Sequence, residues 1–334
     1  MNTAMRAIII NEFGGPDVMH EGDLPLPQPG PGEVRVKIAY AGLNPADWKT
    51  RQGRLAKYIT YIFPFVLGFD LAGIVDATGP GVTAFKPGAR VFGTSKQGQG
   101  MNGAYAEYAI TDAAMLAPVP TGLSLAQAAI LPTAGTTALG GLLDVGGLTR
   151  GQTVLINGGA GGVGSMAIQI ARAIGARSLA TCSAPHADYV TSLGAEAIDY
   201  HTQDVVAAVR RACPDGVDLV LDAVGLDSLL PQATALVRPG GIYVEIETLI
   251  SAASPAQIAA AKAHGVFIES NMRAIARLPE QLTHLAQFAA AGQVKPQLTA
   301  LYKMGEVAQA HERLEQGHVG GKLALEINPA LENG

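Results

Sequence analysis

From Ala7 to about Val119 the chain reads as short β-type apolar runs: VRVKIAY at 34–40, DLAGIVDAT at 70–78, ARVFG at 89–93 and AYAEYAI at 104–110. Segments such as Pro25 to Gly32 and Lys86-Pro-Gly88 break them, because proline lacks a ladder donor and glycine has no side chain to pack. A β-rich, barrel-like region is expected here. After Thr121 the pattern changes. A Ser124 N-cap precedes LAQAAIL, and continuously apolar strands then alternate with helical stretches: TVLIN (153–157), ARSLATC (176–182), AIDY (197–200), VDLVLDAV (217–224), GIYVEI (241–246) and GVFIES (265–270). Such alternation predicts a doubly wound parallel sheet. The helix after TVLIN puts Val163, Ala167, Ile170 and Ile174 on one stripe facing the sheet, with Gln169 and Arg172 on its far side. Amphipathic spacing recurs around Glu280–Ala291 and Gly305–Gln316.

Composition agrees with a soluble protein of two domains. The 334 residues are 48% hydrophobic, 15% charged and 5% aromatic, too many for comfort around one core. The net charge of −5 and the lack of a Lys/Arg stripe exclude nucleic acid as a partner. The N-terminal apolar stretch is too short for a signal peptide or a membrane span. Cys182 and Cys213 supply neither a disulfide framework nor a four-thiolate zinc lobe, and their isolation suits a reducing, cytoplasmic setting. Seven scattered histidines show no ligand spacing and no nucleophile motif.

The chemistry is carried by Gly159-Ala-Gly161-Gly-Val-Gly164, a G-x-G-x-x-G loop that leaves the strand TVLIN and opens a helix. Glycines there let the backbone approach a pyrophosphate, and the helix N-terminus offers unpaired N–H groups and partial positive charge. The second strand ends in Thr181-Cys-Ser183, with no acid until Asp188. A carboxylate at that tip would grip a ribose 2′-hydroxyl and repel a 2′-phosphate, so its absence tilts the cofactor toward NADPH over NADH. Asp222, at the end of a parallel strand, is expected to cap the following loop rather than to catalyse.

Several stretches together resemble the medium-chain dehydrogenase/reductase superfamily, in its zinc-independent quinone-oxidoreductase-like branch: Ala41 to Lys49, Leu67 to Val75, Phe85 to Phe92, Gly103 to Tyr108, Leu131 to Thr137 and the glycine loop. The resemblance implies an α/β protein with a GroES-like catalytic domain (1–123, completed by 275–334), a Rossmann domain (124–274), and an active cleft between them. Zinc-dependent members carry a Cys near position 44 and Gly-His-Glu near 68–70. This chain has Asn44 and Gly68-Phe69-Asp70, a set that cannot supply the three zinc ligands.

Without a strong Lewis acid, a conjugated acceptor is a more suitable substrate than a simple alcohol. Hydride adding to a quinone or an α,β-unsaturated carbonyl places charge on a distant oxygen, which hydrogen-bond donors can stabilise. The resemblance nominates Asn44, Asp47 and Lys49 as the catalytic group. Turn chemistry alone would also account for Asn44 and Asp47. Tyr58 and Tyr61 are either cleft or packing residues. For the cofactor the resemblance points to Thr133, Gly161, Gly162, Val163, Ser183, Tyr200, Val224, Ile246 and Lys322. It also suggests a homodimer paired through the GVFIES edge. The alternatives are a metal-independent alcohol dehydrogenase and a non-catalytic NADPH-binding protein. The glycine-rich stretch 95–103 reads as a loop at the cleft mouth.

Overall fold

The computed structural model describes residues 3–96, 102–225, 228–247 and 252–333. Residues 97–101, most of the glycine-rich stretch, lie outside the described residues. The chain divides into two compact units: Met1–Ala134 with Leu282–Ala290 and Pro296–Gly334, and Gly135–Gln281 with Ala291–Lys295. The first unit thus runs past the expected end at 123. Its extension includes the helix Leu125–Ala129, capped by Ser124 and Gln127 in a capping box. That helix packs on the β-layer so closely that a Cβ at Gly42 would come within 2.3 Å of the Ala129 carbonyl oxygen.

The β-rich expectation for the first unit is met by two sheets. Ala4–Ile10 lies between His20–Pro25 and Phe65–Val66. The larger, seven-stranded sheet runs Leu298–Lys303, Lys322–Glu326, Glu33–Gly42, Asp70–Thr78, Arg90–Thr94, Leu116–Pro118, with Tyr108–Asp112 also pairing Glu33–Gly42. Val34, Val36 and Ile38 are fully buried while Arg35 and Lys37 alternate with them, the two-residue period of a sheet with one face on the core.

Register places the polar groups. Ala324 pairs antiparallel with Gly42, and on the other flank Gly42 pairs with Asp70. The end of Glu33–Gly42 therefore has Lys322 on one side and Asp70 on the other. Asn44 follows directly.

The second unit is the predicted parallel sheet. Its strands lie in the order Glu196–Asp199, Arg177–Cys182, Thr153–Asn157, Val217–Asp222, Val237–Glu245, Phe267–Ser270. Counted along the unit this is 3-2-1-4-5-6, the Rossmann order, whose reversal beside the first strand opens a crevice at the strand C-termini. In the helix Gly162–Ile174, Ala167 and Ile170 are fully buried as the stripe requires. Gln169 departs from the expectation of an outer position. It is buried, donating to the Lys295 carbonyl at 3.2 Å and accepting from the Lys295 N–H at 2.9 Å, which ties Ala291–Lys295 to this unit.

Candidate functional site

The polar cluster of the first unit grows from the turn after Glu33–Gly42. Asn44 precedes Pro45 and so caps the helix Pro45–Arg51, whose first position suits proline because its N–H would be unpaired anyway. The Asp47 side chain reaches back in a capping-box arrangement, with the Asn44 N–H donating to Asp47 Oδ2 at 2.7 Å. The Asn44 carboxamide has partners on the flanking strands. Its Oδ1 accepts from the Lys322 ammonium and its Nδ2 donates to Asp70 Oδ2 at 2.9 Å. Lys322 also donates to the Leu43 carbonyl at 2.6 Å. Asp70 accepts from the Thr133 N–H at 3.0 Å and from its hydroxyl at 2.5 Å.

Four of the nominated residues, Asn44, Asp47, Thr133 and Lys322, thus converge around Asp70. All three ionisable groups of the cluster are buried. Burial raises the Asp47 carboxyl to about 7, with the hydrogen bond from Asn44 opposing and the negative charge of Asp70 adding to the rise. Burial also raises Asp70, against the pull of Lys322, Thr133 and Asn44. Lys322 is lowered by burial, while Asp70 and Asp47 hold its charge in place. Lys49 is buried too, its ammonium 5.3 Å from the centre of the Trp48 ring. Tyr61 is a packing aromatic: it stands edge-on to Phe13 at 4.7 Å and donates its hydroxyl to the Thr50 carbonyl at 2.9 Å. Tyr58 is exposed.

A second buried chain was not legible from sequence. Asp47 Oδ1 accepts from the Phe69 N–H at 3.1 Å, and burial, with the negative charge of Asp47 adding, pushes the Tyr105 hydroxyl well above the ordinary tyrosine range. Tyr105 Oη is 3.1 Å from His311 Nε2, and His311 Nδ1 is 2.9 Å from the Arg51 guanidinium. Arg51 also pairs with Glu315 at 2.6 Å. Nothing local to His311 marks it, because its partners are distant in sequence.

In the second unit the glycine loop is built for close backbone approach. A Cβ on Gly164 would come within 2.2 Å of the Gly158 carbonyl oxygen, and one on Gly159 within 2.7 Å of Ala180 Cβ. Gly161 caps the helix without a side-chain hydrogen bond, so the first turn, at Gly162 and Val163, presents its amides without a side-chain cap. These residues fit a dinucleotide pyrophosphate.

The strand tips beside the loop are cross-braced. Thr181 Oγ1 accepts from the Gly158 N–H at 2.9 Å and donates to Asn157 Oδ1 at 2.7 Å; Asn157 Nδ2 donates to Asp222 at 2.8 Å. Asp222 caps its own loop as expected, accepting from Val224 and Gly225 N–H, and also takes the Tyr243 hydroxyl at 2.6 Å. Val224 is close enough that a Cβ on Gly158 would touch its Cγ2 at 2.9 Å. Ile246 follows Val237–Glu245, its N–H donating to the Asp222 carbonyl. Ser183 begins the turn after Arg177–Cys182, and the exposed Tyr200 donates its N–H to the Cys182 carbonyl at 3.3 Å.

Comparison with known proteins agrees with both halves. Residues 30–121 match the family described as alcohol dehydrogenase GroES-like domain, and residues 193–325 the family described as zinc-binding dehydrogenase. The chain is 30% identical over 333 residues to a quinone oxidoreductase of Lama guanicoe, covering 96% of this chain and 97% of that protein. It is 31% identical to the chloroplastic NADPH-dependent alkenal/one oxidoreductase of Arabidopsis thaliana, covering 96% and 79%. Among solved structures, the quinone oxidoreductase from Coxiella burnetii superposes with a TM-score of 0.84 at 32% identity over 97% of this chain and 99% of that one. The chain therefore belongs to the medium-chain dehydrogenase/reductase superfamily, as a quinone-oxidoreductase-like oxidoreductase.

Proposed function

We propose that the protein is an NADPH-dependent reductase that transfers hydride to a quinone or an α,β-unsaturated carbonyl without zinc. The observation that carries this reading is the buried cluster of Asn44, Asp70, Thr133 and Lys322, in which the Asn44 carboxamide is held in one orientation. Ammonium groups only donate, so Lys322 fixes the oxygen end of the amide, and Asp70 takes one hydrogen from the nitrogen end. The second Nδ2 hydrogen is the donor for the oxygen on which charge develops.

The reduced nicotinamide supplies the hydride when bound. Lys322 polarises the Asn44 amide and so strengthens its donor end. Lys49 is the further positive charge for that oxygen, and Thr133, anchored on Asp70, orients the ring. Asp47 is fully buried and holds Asn44 in place rather than meeting substrate. Water supplies the proton. The names of the quinone and alkenal/one relatives support the acceptor class.

Zinc has no part in the proposal. A catalytic zinc takes three protein ligands, whereas the groups at the expected positions, Asn44 and Asp70, are committed to Lys322 and Thr133, and the buried ammonium repels a dication. The preference for NADPH rests on the acid-free tip at Ser183. The nearby Asp199 carboxylate is held by its own loop, accepting from the His201 N–H and the Thr202 hydroxyl. Gly161, Gly162 and Val163 would hold the pyrophosphate, Ser183 and Tyr200 the adenosine half, and Val224 and Ile246 the nicotinamide side. A cytoplasmic homodimer, paired through the edge strand Phe267–Ser270 with its exposed Phe267, completes the proposal. Among the described residues no helix is long and apolar enough to cross a membrane.

The test follows loss of NADPH and NADH absorbance with quinones, 2-alkenals, enones and enoyl thioesters, with simple ketones as controls. Rapid NADPH loss with one conjugated class and little with ketones is expected. Tight NADPH binding without turnover on any acceptor would overturn the enzyme reading in favour of a sensor, and alcohol oxidation alone would favour a metal-independent alcohol dehydrogenase.

A further inference from the structure

We infer that Glu315 is a positioning residue for the site: with the buried Arg51 guanidinium it clamps the C-terminal end of the helix Pro45–Arg51, and the clamp fixes where Lys49 stands.

A helix of seven residues is too short to hold itself in place. Its first end is fixed by the capping box at Asn44 and by the contacts of the Asn44 side chain with Lys322 and Asp70. Its last end is fixed by Arg51, the largest fully buried side chain among the described residues. A guanidinium only donates, in a rigid fork, and here all three nitrogens have partners. Nη2 donates to Glu315 Oε1 at 2.6 Å, Nη1 to His311 Nδ1 at 2.9 Å and Nε to the Gly14 carbonyl at 3.1 Å. The Gly14 N–H donates in return to the Arg51 carbonyl at 3.3 Å. Glu315 Oε2 accepts from Gln52, the first residue past the helix, at 3.3 Å. Burial, with the Arg51 charge adding, lowers His311 to about 3, so its ring is a neutral acceptor for Arg51 and points its remaining hydrogen at Tyr105 Oη, 3.1 Å away.

Helical period matches the fork. His311 and Glu315 are four residues apart in the helix Val307–Glu315, so both stand on the face that receives the guanidinium. Glu315 supplies the one ion pair that Arg51 makes among the described residues. Without it a buried cation faces only neutral acceptors, a cost that drives the guanidinium toward water and the end of its helix with it. Lys49 lies two residues before the clamp. Its side chain is buried, with the ammonium 5.3 Å from the Trp48 ring centre, and its carbonyl accepts from the Arg54 N–H at 3.0 Å. A buried side chain has little room to swing back when its backbone is displaced, so a shift at Arg51 becomes a shift at Lys49. The alternative is a tie that stabilises the fold and leaves Lys49 where it is.

The kinetic consequence rests on the proposed reductase reading; the clamp itself does not. Trp48 is the single tryptophan of the chain and lies inside the helix, so its fluorescence anisotropy decay in the nucleotide-free protein reads that helix directly. Glu315→Ala is expected to give Trp48 a fast local motion that the wild type lacks, with circular dichroism unchanged. Glu312→Ala, which removes an exposed carboxylate from the same late helix, is expected to leave Trp48 as it is. Where the acceptor panel shows turnover, Glu315→Ala is expected to lower kcat about tenfold at unchanged KM for NADPH, the cost of a misplaced group. On a Lys49→Ala background the same substitution is expected to cost less than about twofold, because the two residues act through one position.

Unchanged anisotropy in folded Glu315→Ala would overturn the inference. Glu315→Asp keeps the charge and withdraws it by one methylene, so it serves where Glu315→Ala does not fold, and an anisotropy decay like that of the wild type would overturn the inference there too. So would a fast motion in Glu312→Ala, or an undiminished tenfold loss on the Lys49→Ala background. A freed Trp48 in a protein whose wild type turns over no acceptor would remove the reductase reading and leave the clamp intact.

Discussion

Lys322 and Asn44, 278 positions apart, are joined by a hydrogen bond from the ammonium to the carboxamide oxygen. The bond exists because Ala324 is in register with Gly42, so the late strand delivers its first residue beside the turn that follows the early one. Lys322 is also the buried positive charge set against both Asp70 and Asp47.

Removing that charge leaves two carboxyls with no cation beside them. Lys322→Met is expected to destabilise the protein by about 3–5 kcal/mol, the usual cost of breaking a buried ion pair from one side. Adding Asp70→Asn should return part of the loss. Urea unfolding of the single and double variants measures both.

Asp47 gives stability a pH dependence of defined sign. Its carboxyl is raised from 3.8 to about 7 in the folded protein. The folded state therefore holds the proton more tightly than the unfolded chain, and stability from this group is full below about pH 4 and lost as pH rises through 7. Relative to wild type, Asp47→Asn should gain stability across that window, on the order of a few kcal/mol. A lost acceptor adds a constant offset, so the slope against pH is the quantity to measure.

His311 acts in the opposite direction. Its ring is lowered from 6.5 to about 3, so its contribution is full above 6.5 and lost as pH falls toward 3. His311→Gln, which has no proton to gain, should flatten the acid side of the stability profile. Thermal melts between pH 4 and 7 compare the two proteins, and parallel curves would contradict the buried neutral ring.

In the second unit, Gly164→Ala would drive a Cβ against the Gly158 carbonyl oxygen, 2.2 Å away. The loop must shift, and NADPH affinity is expected to fall at least about tenfold while the sheet remains folded. Calorimetric titration with circular dichroism as control reads both.

Ser183→Asp places a carboxylate where the sequence lacks one. The ratio of kcat/KM for NADPH to that for NADH is expected to drop by about tenfold or more, through repulsion of the 2′-phosphate and a new ribose hydroxyl contact. An unchanged ratio would show that Ser183 is remote from the 2′ position.

What the sequence revealed depended on how local each signal was. The glycine loop, the strand before it and the helix after it are contiguous, and the apolar stripe through Ala167 and Ile170 followed from helical period alone. Asn44, Asp47, Thr133 and Lys322 could be nominated only by resemblance, since their meeting around Asp70 depends on the registers of Gly42 with Asp70 and with Ala324. Gln169 was misplaced because a helix-face count does not reveal that Lys295 returns to cover it. Arg51, Tyr105 and His311 come from a helix, a turn and a late helix, and no spacing relates them.

The interrupted first unit has a consequence for the timing of self-assembly. Its strand Lys322–Glu326 joins Glu33–Gly42 only after the chain has passed through the whole second unit, whose sheet pairs segments much nearer in sequence. Contacts between distant segments form late because the intervening chain must first be closed. In refolding, the dinucleotide fold should thus mature before the Asn44–Lys322 bond, and nucleotide capture should recover ahead of turnover.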